Sequence, residues 1–251
     1  MSKNTDQSFD TLMHKFAHNI YGSSKGKLRH ELLVNNLWQY IKPEGEPLEI
    51  IDVGGGTGIM CKTLLELGHT LTFNDLSADA VTMAKQNLAD YQNVTFHCGS
   101  LNALNDSKQF DMVICHAVLE WLSSPFDAIT SLIDLVKPGG IISLSFFNKD
   151  AHRFGNLLYG NFDYVEADMK NKNTVRLNPN NALEPKQVLA HLEELPVNVL
   201  NTYGIRCFHD YLRDISKQTS EYEKIKAAEI KYGHLEPYKW LGKYFQVVIQ
   251  C

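Results

Sequence analysis

Apolar positions in the first forty residues recur at helical spacing. Phe9, Leu12, Met13, Phe16, Ala17 and Ile20 share one stripe, and Leu28, Leu32, Leu33, Leu37 and Trp38 repeat it. The pattern predicts two helices split at Tyr21-Gly22-Ser23-Ser24. Pro43 and Glu44-Gly45-Glu46-Pro47 then break regular structure, and a different rhythm begins. Short apolar runs at 48–53, 69–75, 93–98, 110–116 and 140–147 read as strands. They alternate with helical patterns at 57–67, from Ser77 to about Tyr91, and at 125–137, where Lys137-Pro138-Gly139-Gly140 reads as the stop. Such alternation predicts an α/β fold, a mostly parallel sheet with helices on both faces. Phe110–Cys115 and Ile141–Phe147 are almost continuously apolar, as strands buried on both faces should be.

After Asn148 the period is lost. Residues 149–183 hold the aromatics Phe154, Tyr159, Phe162 and Tyr164 and end in Asn-rich, Pro-containing sequence, which predicts a loop-rich insertion after the fifth strand. Glu184-Pro185 opens a further helix with Val188, Leu189, Leu192 and Leu195. A strand-like stretch from Val197 toward Tyr203, a polar helix at 219–232 and a final apolar run from Tyr244 to Ile249 follow. The last strands are expected to close the sheet edge as an antiparallel hairpin. Lys224, Lys226 and Lys231, interleaved with Glu221, Glu223 and Glu229, read as a solvated helix face.

Composition narrows the setting without naming a function. The 251 residues are 44% hydrophobic and 21% charged, the profile of a globular protein and of one large domain, 1–251. No window reaches the roughly 18 apolar residues of a membrane span, and Met1–Asp10 lacks a leader-like basic and apolar pattern, so a cytoplasmic protein is expected. The five cysteines are odd in number and show no C-x-x-C spacing, so neither a disulfide framework nor a metal site is expected. His14 and His18 share a helix face at i,i+4, but no acidic third ligand accompanies them. The net charge of −5 argues against a protein that wraps nucleic acid, yet it is uneven. Residues 1–150 carry 11 basic against 17 acidic side chains and residues 151–251 carry 13 against 12, so an anionic partner approaches the C-terminal part more easily.

Candidate chemistry concentrates at Asp52-Val53-Gly54-Gly55-Gly56-Thr57-Gly58, an acid at the end of a strand followed by glycines and a helix. Glycine allows a tight turn and a close backbone approach to a ligand. Asp75 ends the second strand, where a carboxylate can accept both hydroxyls of an adenosine ribose, with Leu76 beside it. A dinucleotide fingerprint would need a small residue at position 59 or 61, which hold Ile59 and Cys61. Asp52 would also face a pyrophosphate badly, whereas it can hold a cationic amino group. The pattern Asp-x-Gly-x-Gly-x-Gly followed by Asp75 resembles the S-adenosylmethionine motif of class I methyltransferases. That resemblance implies a Rossmann-like seven-stranded sheet with an N-terminal helical lid (1–42), a cofactor-binding core (48–148) and a substrate-recognition elaboration (149–251).

Further segments narrow the resemblance. Phe16–Gly22 with Lys25–Arg29, His116–Trp121, Gly160–Val165 and Phe208–Arg213 are similar to the bacterial tRNA 5-carboxymethoxyuridine methyltransferases. The family implies methylation of the carboxylate of 5-carboxymethoxyuridine at the tRNA wobble position, with the anticodon arm as partner and no membrane or metal. By the same resemblance the cofactor contacts fall on Arg29, Gly54, Gly55, Asp75, Ser100, Leu101 and His116, with Asp52, Gly56 and Leu76 completing the set. Arg29 suits the role independently, because a guanidinium from an N-terminal helix can pair with the methionine carboxylate. Arg206, with Arg213, is expected to orient the substrate carboxylate, and Tyr164, with Tyr159 and Phe162, to stack on a base. The cofactor motif alone leaves open a small carboxylic acid as acceptor, or a non-catalytic cofactor-binding scaffold.

Overall fold

The computed structural model describes residues 23–42, 44–104, 108–169 and 181–251. The first expected helix, with Phe16–Gly22, His14 and His18, lies outside the described residues. Helix α1 (Ser24–Ile41) leads to β1 (Glu49–Val53), α2 (Ile59–Glu66), β2 (Thr70–Asp75), α3 (Ala78–Asn87), β3 (Val94–Cys98) and β4 (Phe110–His116). Next come α4 (Pro125–Asp134), β5 (Val136–Phe147), α5 (Lys149–Leu158), α6 (Phe162–Glu166), α7 (Pro185–Glu193) and β6 (Asn198–Ile205). Short α8 (Lys217–Ser220), α9 (Tyr222–Tyr232) and β7 (Tyr244–Gln250) complete the chain. Among the described residues no helix is long and apolar enough to cross a membrane.

The seven strands lie in the order β3-β2-β1-β4-β5-β7-β6. The first five run parallel, and β7 pairs antiparallel with both β5 and β6. The sheet therefore grows outward from β1 in both directions, and the loops leaving β1 and β4 diverge to open a crevice at their C-terminal ends. Residues alternate between the two faces with the period of a strand. Met112 and Ile114 of β4 join the layer built with Leu28, Leu32 and Leu37 of α1 and Leu64 of α2. Val113 and Cys115 join the opposite layer with Ile129 and Leu132 of α4 and Val188 of α7.

Three local expectations need correction. Lys137–Gly140 does not end α4, which stops at Asp134; it lies within β5. Phe110 pairs with Val136 and Met112 with Ile141, so residues 137–140 bulge opposite Asp111. Lys137 Nζ ties the bulge down, 2.9 Å from Asp111 and 3.3 Å from Glu49. The stretch after Asn148 is also more regular than expected, because Asn148 caps α5 by accepting from the N–H groups of Asp150 and Ala151. Its side-chain amide meanwhile donates to the carbonyls of Trp240 and Gly242, fixing α5 to the approach to β7.

The third correction concerns Glu229, which is 2% exposed rather than solvated. Its Oε2 accepts the N–H of Cys207 at 2.7 Å, and its Oε1 accepts those of Phe208 and His209, both at 2.9 Å. A carboxylate on α9 thus satisfies three consecutive backbone donors of the loop after β6. Burial pushes its pKa up, while those three donors pull it back.

Candidate functional site

A cavity of about 390 Å³ opens at the C-terminal ends of β1 to β4. Arg29, Gly54, Gly56, Asp75, Leu76, Ser100, Leu101 and His116 all line it. Behind the glycine turn a small recess of about 40 Å³ is lined by Asp52, Gly55, Arg29, His30 and His116 among others. All ten expected cofactor-site residues therefore meet at one edge of the sheet. Trp121, from the His116–Trp121 segment, lines the main cavity as well, as do Asn74, Asp127 and Ser131, which carry no sequence signal of their own.

The turn needs its glycines. Gly54 sits at φ +70°, and a Cβ there would lie 2.3 Å from Val118 Cγ2. A Cβ on Gly55 would lie 2.5 Å from the Phe73 ring. The N–H groups of Gly54 and Gly55 both donate to the carbonyl of Asn74, at 2.8 and 3.1 Å, so β1's exit is pinned to β2. Asp75 closes the arrangement, its Oδ2 accepting from Gly56 N–H and its Oδ1 from Ser77 N–H, each at 2.9 Å. Across the crevice Ala117 adopts φ +58°, a left-handed turn that carries the chain out of β4 at the cavity's lip.

His116 is held by a buried relay. Asn36 donates to Gln246 Oε1 at 2.9 Å, Gln246 donates to Ser143 Oγ at 3.0 Å, and Ser143 Oγ lies 2.8 Å from His116 Nε2. Burial, aided by Arg29 and His30, pushes the His116 pKa down to about 3, so the ring is neutral. Among the described residues its buried Nδ1 has no hydrogen-bond partner, and a ligand in this crevice would satisfy it. Positively charged Arg29, an orphaned imidazole nitrogen and a glycine turn too tight for a Cβ fit the carboxylate and backbone-contacting parts of a methionine group. Asp75, followed by Leu76 and then Ser100 and Leu101, fits the ribose and adenine.

Asp52 is 3% exposed, and burial pushes its carboxyl up to about 7; Asp75 raises it further while the Cys61 thiol, 3.5 Å away, lowers it. Its native pKa thus exceeds the unfolded value near 4. Asp52 therefore costs stability as pH rises from about 4 to about 7, where the folded state binds more protons. A cationic amino group in the recess reverses that preference by favouring the carboxylate. Cofactor affinity is expected to strengthen from pH 6 to 7.5, below the deprotonation of an α-amino group at about 7.7 to 8.0. Calorimetric titration across that range should show the increase, and Asp52→Asn should flatten it.

The expected substrate residues stand differently. Arg206 is 7% exposed at φ +64° and is held in a two-point pair, Nε to Asp210 Oδ2 at 2.8 Å and Nη2 to Asp210 Oδ1 at 3.0 Å. Its Nη1 donates to the Lys25 carbonyl at 3.3 Å. Three of its five N–H donors are engaged in this way, so Arg206 holds loop to helix, with one further N–H on each of Nη1 and Nη2. Arg213 is exposed, and Tyr164 is half-buried with its ring 6.1 Å from that of His152. Sequence reasoning missed Glu120, 1% exposed, whose carboxyl burial pushes up to about 7 against the pull of the Glu120 and Phe147 N–H groups and Arg29.

A family profile described as a methyltransferase domain matches residues 51–144. The tRNA 5-carboxymethoxyuridine methyltransferase of Escherichia coli (strain K12) is 36% identical over 249 residues, covering 96% of this chain and 95% of that protein. The chain belongs to this family. A ubiquinone biosynthesis O-methyltransferase of Colwellia psychrerythraea is 28% identical over 170 residues, covering 63% of this chain and 64% of its own. Among solved structures, the magnesium protoporphyrin IX methyltransferase of Synechocystis PCC 6803 with bound SAH superposes with a TM-score of 0.66 at 16% identity. That match covers 96% of this chain and 95% of the other, which shows the class I methyltransferase fold.

Proposed function

We propose that the protein transfers a methyl group from S-adenosylmethionine to the carboxylate of 5-carboxymethoxyuridine at the tRNA wobble position, giving 5-methoxycarbonylmethoxyuridine. The observation that carries this reading is the reach of the family relationship, which spans 96% of the chain and extends far beyond the 51–144 core common to many methyltransferases. A tRNA acceptor also supports a cytoplasmic setting.

The bound cofactor supplies a sulfonium methyl that a carboxylate oxygen takes up, the C–O bond forming as the C–S bond breaks with its electron pair kept by sulfur. The protein's task is then positioning. A carboxylate is ionised at neutral pH, so no side chain has to remove a proton, and correct alignment of reactants can supply roughly 7 to 11 kcal/mol. Asp75 and the glycine turn fix the nucleoside end, and Arg29 with Asp52 fixes the amino-acid end. The anticodon arm is set against the part after β5, where Tyr159 and Phe162 are 73% and 59% exposed. Such exposed aromatic faces suit stacking with unpaired bases.

Methylation rates on tRNA carrying 5-carboxymethoxyuridine and on the free nucleoside test the acceptor class. The nucleoside is expected to react at least about a hundredfold less efficiently per unit concentration, since it forfeits the remote binding that aligns the acceptor. Equal efficiency on the two would favour a small carboxylic acid as the natural substrate.

A further inference from the structure

Just ahead of β7 lies a cation, Lys243, that no carboxylate of the described residues pairs with. Lys243 precedes Tyr244 at the same sheet edge as the cofactor cavity, and its Nζ lies 5.1 Å from the centre of the Phe147 ring. Phe147 and Tyr244 are register partners on β5 and β7, with ring centres 5.7 Å apart. On the Tyr244 ring lie the guanidinium of Arg29 at 5.1 Å, which also lines the cavity, and that of Arg206 at 5.6 Å. The Phe147–Tyr244 ring pair is thus a floor that carries Lys243 and that Arg29 links to the cavity.

The charge balance around this floor is positive. Asp210 is already engaged by two nitrogens of Arg206, and burial pushes the Glu120 carboxyl up to about 7, so that it is only about half ionised at neutral pH. Lys243 makes no ion pair with any carboxylate of the described residues, and burial, with Arg206 and Lys25, pushes its pKa down against the pull of Asp210. A partly buried ammonium in that state gains from an anion arriving with the substrate.

Resting on the reading above, we propose that Lys243, on the floor formed by Phe147 and Tyr244, is the binding residue for the carboxylate of the methyl acceptor, and that Arg206 with Asp210 is its structural support. The ammonium holds the acceptor oxygen that is not methylated, and no proton changes hands. The acceptor loses its negative charge when the ester forms, so Lys243 binds the acid form more tightly than the ester. It thereby both selects the substrate and releases the product.

The test is binding of one tRNA in two forms, carrying the acid or its methyl ester, to protein saturated with S-adenosylhomocysteine, read by fluorescence anisotropy. The wild type is expected to prefer the acid form about tenfold or more, the scale of one charge-assisted hydrogen bond. Lys243→Met should bring the ratio close to one with ester-form affinity unchanged, and Lys243→Arg should restore the preference. Retained affinity for S-adenosylhomocysteine shows that the variant is folded; Lys243→Gln, closer in polarity, is read in the same way should the methionine variant lose it. A wild type that methylates this tRNA, but whose preference survives in Lys243→Met and Lys243→Gln, overturns the assignment of Lys243 alone. A wild type that leaves the acid-form tRNA unmethylated overturns the functional reading beneath it.

Discussion

Replacing Asp75 by alanine is expected to weaken S-adenosylmethionine binding by about a hundredfold or more, because two hydrogen bonds to an ionised group, each worth about 1.5 to 3 kcal/mol, are lost together. The side chain is fixed before any ligand arrives, since Gly56 N–H and Ser77 N–H each hold one of its oxygens at 2.9 Å. A carboxylate has about four acceptor sites, a number that can serve backbone donors and ribose hydroxyls together. The same carboxylate braces the glycine turn against β2, and its removal loosens Gly56 as well as the nucleoside contact. Asp75→Asn keeps the shape without the charge and is expected to fall between alanine and wild type. Isothermal titration of cofactor into the three proteins decides the matter, and an alanine variant within about threefold of wild type, under 0.7 kcal/mol, contradicts the assignment.

How far the sequence alone reaches can be judged from particular residues. The cofactor half was legible because each of its features has a local signature. Glycines follow Asp52, an acid ends β2, and β4 was bounded correctly at Phe110 and His116 by its nearly continuous apolar run. Helix α5 was not legible, since its buried residues are Ala151 and Gly155 while Phe154, Leu157 and Leu158 face outward. Small residues inside and large ones outside invert the period on which a helix is recognised. Arg206 was legible as a notable cation but not as a committed one. Its partner Asp210 lies four residues on in an irregular loop, where spacing says nothing about which side chains meet. Lys243 had no signal at all, because only the pairing of β5 with β7 brings it beside Phe147.

Glu229 shows the same limit, and with it comes the largest expected effect on stability. A glutamate amid lysines on a helix reads as solvated, since glutamate is rarely buried unless paired. Here its partners are backbone N–H groups of Cys207, Phe208 and His209, which no side-chain pattern reveals. Glu229→Ala leaves three donors unsatisfied, two of them in residues no more than 2% exposed. At about 1 to 3 kcal/mol for each buried orphan, a loss near 4 kcal/mol is expected. For a chain of this size that corresponds to a fall in melting temperature of about 8 to 15 °C. Glu229→Gln keeps the acceptor oxygen and should lose roughly half as much, because its amide nitrogen faces at least one of the same donors. Thermal unfolding followed by circular dichroism reads both, and an alanine variant that melts with the wild type contradicts the role given to this carboxylate. The loop it fastens carries Arg206 and Asp210 toward the proposed acceptor site, so the effect on structure and the effect on substrate binding share one origin.

The central claim is the identity of donor, acceptor and reaction, and mass spectrometry of tRNA nucleosides tests all three together. Purified protein and S-adenosylmethionine are incubated with tRNA that carries 5-carboxymethoxyuridine but not its ester, and the nucleosides are then released and weighed. The account predicts conversion of 5-carboxymethoxyuridine into a species heavier by one methyl group that returns to the acid on mild alkaline treatment, as an ester must. An unchanged nucleoside profile from protein shown in the same experiment to bind the cofactor would contradict it.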